Sequence, residues 1–354
     1  MKIIYYKITA FIVIIILIIL IILTIWKISY IFNDKYSASL YPEIKPLNTY
    51  NIQVSDIHKV SFSIYGNRSG KPILFVHGGP GAASGENDAR FFDPMYYLII
   101  IVDQRGCGKS SPSGELKENT TDKLIEDFEV IRKKLNVDKW ILFGGSWGST
   151  LSLIYSIKYP SVILGMILRG IFLCSPQEIE WIWGEKSQVK YFNPIGWNYF
   201  TNTLPNRDLT GNYIVDYKNC FDGKFGEKNS EKCLLSWAVY EKSLSNLKIN
   251  DLKDDIDIVK KTNFSEFSLI ENHYMINNCF LEPEFLKNNI HKIKHIPTII
   301  VQGKYDLICP PITSYILHDM LPNSQLHITL AGHSVNDPEN MDKLVEATNT
   351  FKNL

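Results

Sequence analysis

Gly144-Gly145-Ser146-Trp147-Gly148-Ser149 is the stretch on which the reading of this chain turns. It follows the apolar run Trp140 to Phe143 and precedes a helix-like stretch from Thr150 to Lys158. A strand that runs straight into a helix forces the turning residue into a strained conformation and needs small neighbours around it. Gly-x-Ser-x-Gly in that setting is how a serine is raised as a nucleophile. Ser146 would then sit at a helix N-terminus, where backbone N–H groups favour negative charge. Alone, the pattern fits a glycine-rich strand-to-helix loop equally well, so its surroundings must decide.

Upstream, Pro72 to Val76 is a short continuous apolar run suited to a strand buried on both faces, and it ends in His77-Gly78-Gly79-Pro80-Gly81. A second such run, Tyr97 to Val102, ends in Asp103-Gln104-Arg105-Gly106-Cys107-Gly108-Lys109-Ser110. Alternation over Ile52 to Tyr65 predicts a hairpin, and Leu124, Phe128, Ile131 and Leu135 mark a helix over Thr121 to Leu135. Downstream, Val162 to Leu168 reads as another strand. From Pro176 to about Ile290 the pattern changes to amphipathic, aromatic-rich helices, and strands return at Pro297 to Val301 and Gln325 to Leu330. Helices are expected at Thr313 to Met320 and Asp337 to Phe351. The predicted fold is therefore α/β: a mostly parallel sheet covered on both faces, with an inserted helical cap. The expected parts are a core over residues 49–174, the cap over 175–294 and the rest of the core over 295–354.

The N-terminus stands apart. Ile8 to Trp26 carries no charge and is mostly Ile and Leu, long enough for a transmembrane helix, and no small-residue cleavage pattern follows it. Residues 1–30 are thus expected to be an uncleaved, single-pass membrane anchor, joined by a linker at 31–48. The positive-inside rule places the remainder on the lumenal or exterior side. Elsewhere the composition is ordinary: 45% hydrophobic, 21% charged, with Lys+Arg 37 against Asp+Glu 37. No basic footprint for nucleic acid exists. The cysteines include no Cys-x-x-Cys pair, which argues against a zinc site, and Cys220 with Cys233 could bridge in an oxidising compartment. Asn67, Asn119 and Asn263 begin glycosylation patterns.

A serine nucleophile needs a base and an orienting acid, and in this fold they follow it in the order acid, then histidine. Asp306, in Gly303-Lys304-Tyr305-Asp306, and His333, in Ala331-Gly332-His333-Ser334, both follow late strands. Ser146 Oγ would attack a carbonyl carbon, His333 would carry the proton, and Asp306 would hold the imidazole tautomer. The oxyanion would be met by the N–H of Trp147 and by that of Gly79, with Gly78 next in line. His77 reads as a brace for its loop. Asp103 and Arg105 read as tying down their own loop as a local pair.

Taken together, His77–Gly81, Asp103–Ser110, Gly144–Ser149, Leu168-Arg169-Gly170-Ile171-Phe172, Gly303–Asp306 and Ala331–Ser334 resemble the proline iminopeptidase family of α/β-hydrolases, from about Leu40 to Phe351. The resemblance implies an α/β-hydrolase fold and release of N-terminal proline from short peptides, with no metal and no cofactor. It further implies substrate-binding roles for Glu241, Glu271 and Phe172, the two glutamates meeting the cationic imino group of the substrate. Two neighbouring carboxylates in an apolar pocket repel, and an arriving cation relieves that repulsion. Where the family often has aromatic residues, this chain has Ile182 and Met275. An esterase or amidase using the same triad on uncharged acyl substrates is the alternative. A catalytically silent scaffold would show a broken triad or oxyanion loop, and this chain has both intact.

Overall fold

The computed structural model describes residues 14–24, 40–205, 210–248 and 250–354. It divides into two compact units, Met1–Ser39 and Leu40–Leu354.

The first unit overturns the membrane expectation. A helix, α1, is described over residues 14–24 only. At about 1.5 Å per residue it spans roughly 16 Å, about half of a hydrocarbon core. Among the described residues no helix is long and apolar enough to cross a membrane. Apolar composition suggested a span that the described helix is too short to make, so the transmembrane anchor and the lumenal or exterior placement derived from it are corrected. The rest of the expected span, residues 8–13 and 25–26, lies outside the described residues, as does 31–39 of the expected linker.

The second unit begins earlier than the linker reading implied. Leu40, Tyr41 and Ile44 pack against the core, and Tyr41 N–H donates to Arg90 O at 2.8 Å. An eight-stranded sheet follows: β1 (Asn48–Gln53), β2 (Lys59–Gly66), β3 (Lys71–Val76), β4 (Tyr97–Asp103), β5 (Trp140–Ser146), β6 (Ile163–Ile171), β7 (Thr298–Gly303) and β8 (Ser324–Thr329). Their spatial order is β1-β2-β4-β3-β5-β6-β7-β8. The β1–β2 hairpin joins the sheet antiparallel to β4, and the pairs from β4 through β8 are parallel.

The continuous apolar runs have a simple cause. Leu74, Val76, Ile100, Val102 and Leu142 face one hydrophobic cluster, with α2 (Thr121–Lys134) and α3 (Trp147–Lys158). Ile73, Ile99, Ile101, Ile141 and Phe143 face the other. Alternate residues of each strand therefore leave water on opposite sides, and both must be apolar.

Between β6 and β7 come α4 (Pro176–Trp183), α5 (Pro194–Thr203), α6 (Tyr213–Phe221), α7 (Glu227–Ser245), α8 (Leu252–Val259), α9 (Phe264–Ile276) and the short α10 (Phe285–Asn289). Then α11 (Pro311–Met320) links β7 to β8, and α12 (Pro338–Thr350) closes the chain. Two disulfides tie the insertion. Cys220–Cys233 joins α6 to α7 with Cα atoms 6.4 Å apart. Cys174–Cys279, also 6.4 Å, joins its beginning to the segment after α9. That second pair was not anticipated. Of the glycosylation patterns, Asn119 is buried, and its amide donates to Arg105 O and Glu115 O, so it offers no acceptor site for a sugar.

Candidate active site

β5 ends on Ser146 and α3 begins at Trp147, with no residue between them to make the turn. Ser146 therefore adopts φ 57°, ψ −128°, a strained backbone for a non-glycine residue. The flanking glycines are required by close approach. A Cβ on Gly148 would lie 2.1 Å from Val76 O, and one on Gly144 would lie 2.3 Å from Gly148 O. The first turn of α3 is fixed by its hydroxyls. Ser149 Oγ donates to Ser146 O at 2.7 Å and accepts from Phe172 N–H at 3.2 Å, while Thr150 Oγ1 donates to Phe172 O at 2.6 Å. Phe172 is thus buried directly behind the turn, at the end of β6.

Asp306 and His333 follow β7 and β8, and the structure brings them together. His333 Nδ1 and Asp306 Oδ2 are 2.8 Å apart. Asp306 Oδ1 accepts the N–H groups of Ile308 at 3.0 Å and Cys309 at 2.8 Å, which orients the carboxylate. The strand register pairs Ser146 with Ile171. One residue earlier, a Cβ on Gly170 would lie 3.1 Å from His333 Cε1 and 3.2 Å from Asp306 Oδ2. The acid–histidine pair therefore lies against β6 beside the partner of Ser146. Arg169 donates to His333 O, and Asp337 Oδ2 accepts Gly332 N–H at 2.6 Å, so both sides of the histidine loop are held.

The glycine loop after β3 lies against the turn. A Cβ on Gly78 would be 3.3 Å from Ser146 Cβ, and Gly79 has φ 104°. Trp147 is the first residue of α3, so its N–H has no acceptor within the helix. His77 is buried and bonds within its loop, Nδ1 to Gly78 O at 2.9 Å. The expected pairing of Asp103 with Arg105 is not formed. Asp103 Oδ1 instead accepts from Ser84 N–H and Oγ–H, at 2.9 and 2.6 Å. Arg105 makes a bidentate pair with Asp127, both contacts 2.7 Å.

Glu241 on α7 and Glu271 on α9 meet in the helical insertion. Glu271 is 1% exposed, and Trp237 Nε1 donates to its Oε2 at 2.6 Å. Trp183 stacks on that indole at 5.3 Å. Burial raises the pKa of both carboxyls. Glu271 rises furthest, because the charge of Glu241 adds to desolvation. Glu241 Oε2 is buried and has no hydrogen-bond partner among the described residues. A buried acceptor beside a shared proton is a ready seat for a cation. Ile182 and Met275 are both buried, at 1% and 2% exposure. Sequence reasoning missed Trp237 as the donor to Glu271; an aromatic residue one helical turn before Glu241 was the available signal. Among the described residues, no group of His, Cys, Asp or Glu could hold a metal ion.

A cavity of about 570 Å³ opens elsewhere, between α4, α10 and α11, lined among others by Trp181, Leu281, Phe285, Ile312 and Met320. None of Ser146, His333, Asp306, Glu241 and Glu271 lines it.

A family model for the alpha/beta hydrolase fold matches residues 71–339. A proline iminopeptidase of Arabidopsis thaliana is 38% identical over 89% of this chain and 83% of its own length. A probable proline iminopeptidase of Leptolyngbya boryana is 40% identical over 88% of this chain and 96% of its own. Among solved structures, an esterase from Rhodococcus sp. aligns with TM-score 0.58 at 16% identity, covering 87% of this chain and 99% of its own, a likeness of fold alone.

Proposed function

The chain belongs to the proline iminopeptidase family of α/β-hydrolases, and on that premise we propose that it is a serine exopeptidase releasing N-terminal proline from peptides. Ser146 Oγ attacks the carbonyl carbon of the first residue while His333 takes its proton. Asp306 holds the Nδ1–H tautomer of His333 and stabilises the imidazolium that forms. The N–H groups of Trp147 and Gly79 receive the tetrahedral oxyanion. Its collapse expels the shortened peptide, whose new amine takes the proton from His333. Water, activated by the same histidine, then hydrolyses the prolyl ester on Ser146.

The observation that carries the exopeptidase reading is the pair of half-buried Glu241 and buried Glu271, with the buried Oε2 of Glu241 unpartnered among the described residues. A mid-chain peptide bond brings no cation to that place, whereas a free N-terminal imino group does. The raised affinity of the pair for protons means that an incoming cation displaces a proton as it binds. Phe172, fixed behind the turn, completes the apolar side of the substrate site in this reading.

The test is a panel of N-terminal aminoacyl arylamides, assayed on the full chain and on Ser146→Ala. Hydrolysis is expected to favour proline, to vanish with Ser146→Ala and to fail on N-acetylprolyl arylamide. Equal rates on free and N-acetylated substrates would instead support the esterase or amidase alternative.

A further inference from the structure

We propose that Gln104 is a positioning residue for the oxyanion hole, its carboxamide and its own backbone N–H together holding both backbone donors from behind. The inference rests on the reading of Trp147 and Gly79 as those donors. In the sheet, β3 lies between β4 and β5. Gln104 follows the last residue of β4, the glycine loop follows β3, and Ser146 with Trp147 ends β5. A side chain that crosses the end of β3 can therefore touch both halves of the hole, and Gln104 does so. Its Oε1 accepts from Trp147 Nε1–H at 2.9 Å, its Nε2 donates to His77 O at 2.9 Å, and its backbone N–H donates to His77 Nε2 at 3.0 Å.

The chemistry of the partners fixes the orientation. An indole N–H only donates and a peptide carbonyl only accepts, so the amide oxygen must face Trp147 and the nitrogen must face His77. The flipped amide would oppose donor to donor and acceptor to acceptor. His77 is fixed by the same logic. Its Nε2 accepts the Gln104 N–H, so its proton is on Nδ1 and is donated to Gly78 O at 2.9 Å. Burial lowers the pKa of this imidazole and keeps it neutral.

That last bond aims a catalytic donor. The carbonyl of Gly78 and the N–H of Gly79 belong to one peptide plane, and the bond is trans. In a trans peptide C=O and N–H point in opposite directions. Holding Gly78 O toward His77 therefore turns the Gly79 N–H away from it. Glycines at 78 and 79 supply no side chain to lock that plane, so the lock must come from outside. On the other side, the indole that Gln104 grips belongs to the residue whose N–H is the second donor. Gln104 is 3% exposed, and in this arrangement it acts on the reaction only through its neighbours.

The test uses the full chain with Gln104→Leu and Gln104→Glu. For Gln104→Leu, kcat on a prolyl arylamide is expected to fall about 100-fold or more, as when an oxyanion donor is lost, with KM changed less than about threefold. Affinity for a pyrrolidine boronic acid, which forms a tetrahedral adduct on serine, should fall in parallel with kcat, while affinity for prolinamide stays constant. Gln104→Glu supplies a readout that a packing role would not move. A protonated carboxyl offers one donor and one acceptor, as the amide does, so kcat relative to the unsubstituted enzyme should recover as pH falls and decline as it rises. The proposal is overturned if Gln104→Leu keeps kcat within threefold, or if it loses prolinamide and boronate affinity equally. Should Gln104→Leu fail to fold, a pH-independent ratio for Gln104→Glu overturns it. The rate of fluorophosphonate labelling of Ser146 separates this inference from the substrate reading. A slower rate in Gln104→Leu supports the brace even if prolyl substrates prove not to be turned over.

Discussion

Replacing Glu241 by Gln keeps the shape of the pocket and removes its charge. In the folded protein the Oε2 of Glu241 is buried without a partner among the described residues, and Glu271 holds its proton tightly because of burial and the adjacent carboxylate. Removing one member of a buried ion pair costs about 3–5 kcal/mol. Two features move the expected value below that range. The amide still offers a carbonyl acceptor, and the unsubstituted pair must release a proton before it can meet a cation. About 2–3 kcal/mol remains, which at about 1.4 kcal/mol per tenfold corresponds to roughly 30–150-fold in kcat/KM on prolyl arylamide. A neutral aryl ester draws nothing from the carboxylate, and its kcat/KM should change less than about threefold. The assay is a side-by-side determination of both values for Glu241→Gln and the unsubstituted enzyme. An equal decline on both substrates would refute the reasoning, because the glutamate would then serve the integrity of the site and not the charge of the substrate.

Other consequences are open to measurement. Gly148→Ala places a methyl about 2.1 Å from a backbone carbonyl that cannot rotate away, so a loss of about 3 kcal/mol in denaturant unfolding is expected, the upper part of the overpacking range. Glu271→Gln should make stability less dependent on pH. The folded state binds the Glu271 proton more tightly than the unfolded chain does, so the stabilising contribution is complete in acid and is lost as pH rises from the ordinary glutamate range through the raised folded value. Urea midpoints should therefore shift in favour of the variant at pH 8 relative to pH 5. Chain-entropy arguments assign the Cys174–Cys279 bridge, with separation 105, about 4–5 kcal/mol and the Cys220–Cys233 bridge, with separation 13, about 3 kcal/mol. Denaturant midpoints of the two double serine variants should fall in that order.

The core of the molecule was legible because its signals are local. Strands buried on both faces must be apolar at successive positions, and the runs at 72–76, 97–102 and 297–301 read as strands and are strands. The pairing of Asp306 with His333 was legible because both follow such runs, and the two side chains lie 2.8 Å apart. What escaped the sequence depends on which chain segments meet. Arg105 pairs with Asp127 on the facing helix and not with its neighbour Asp103. Cys174 finds Cys279 across most of the insertion. Gln104 is unremarkable in the sequence, because its significance comes from standing at the end of the strand next to β3. The N-terminal reading failed for the opposite reason. Hydropathy registers composition over a window, whereas crossing a membrane requires a helix of sufficient length, and the described one covers residues 14–24.

The junction between α7 and the histidine loop sets a length. Ser334 N–H donates to Ser245 O at 2.7 Å, and Asp337 Oδ2 receives both Gly332 N–H and, at 3.2 Å, Leu247 N–H. Glu241 lies one helical turn before Ser245, whose Oγ donates to Glu241 O at 3.0 Å. In the proposed reading, the seat for the substrate cation and the base that serves the nucleophile are thus two marks on one short rule. In an enzyme of this design the number of residues removed at each turnover is an engineering tolerance. It is set by the seating of one helix end against one loop, and a single residue inserted into the last turn of α7 would rotate the first mark by about 100° without lengthening the rule to the next peptide bond.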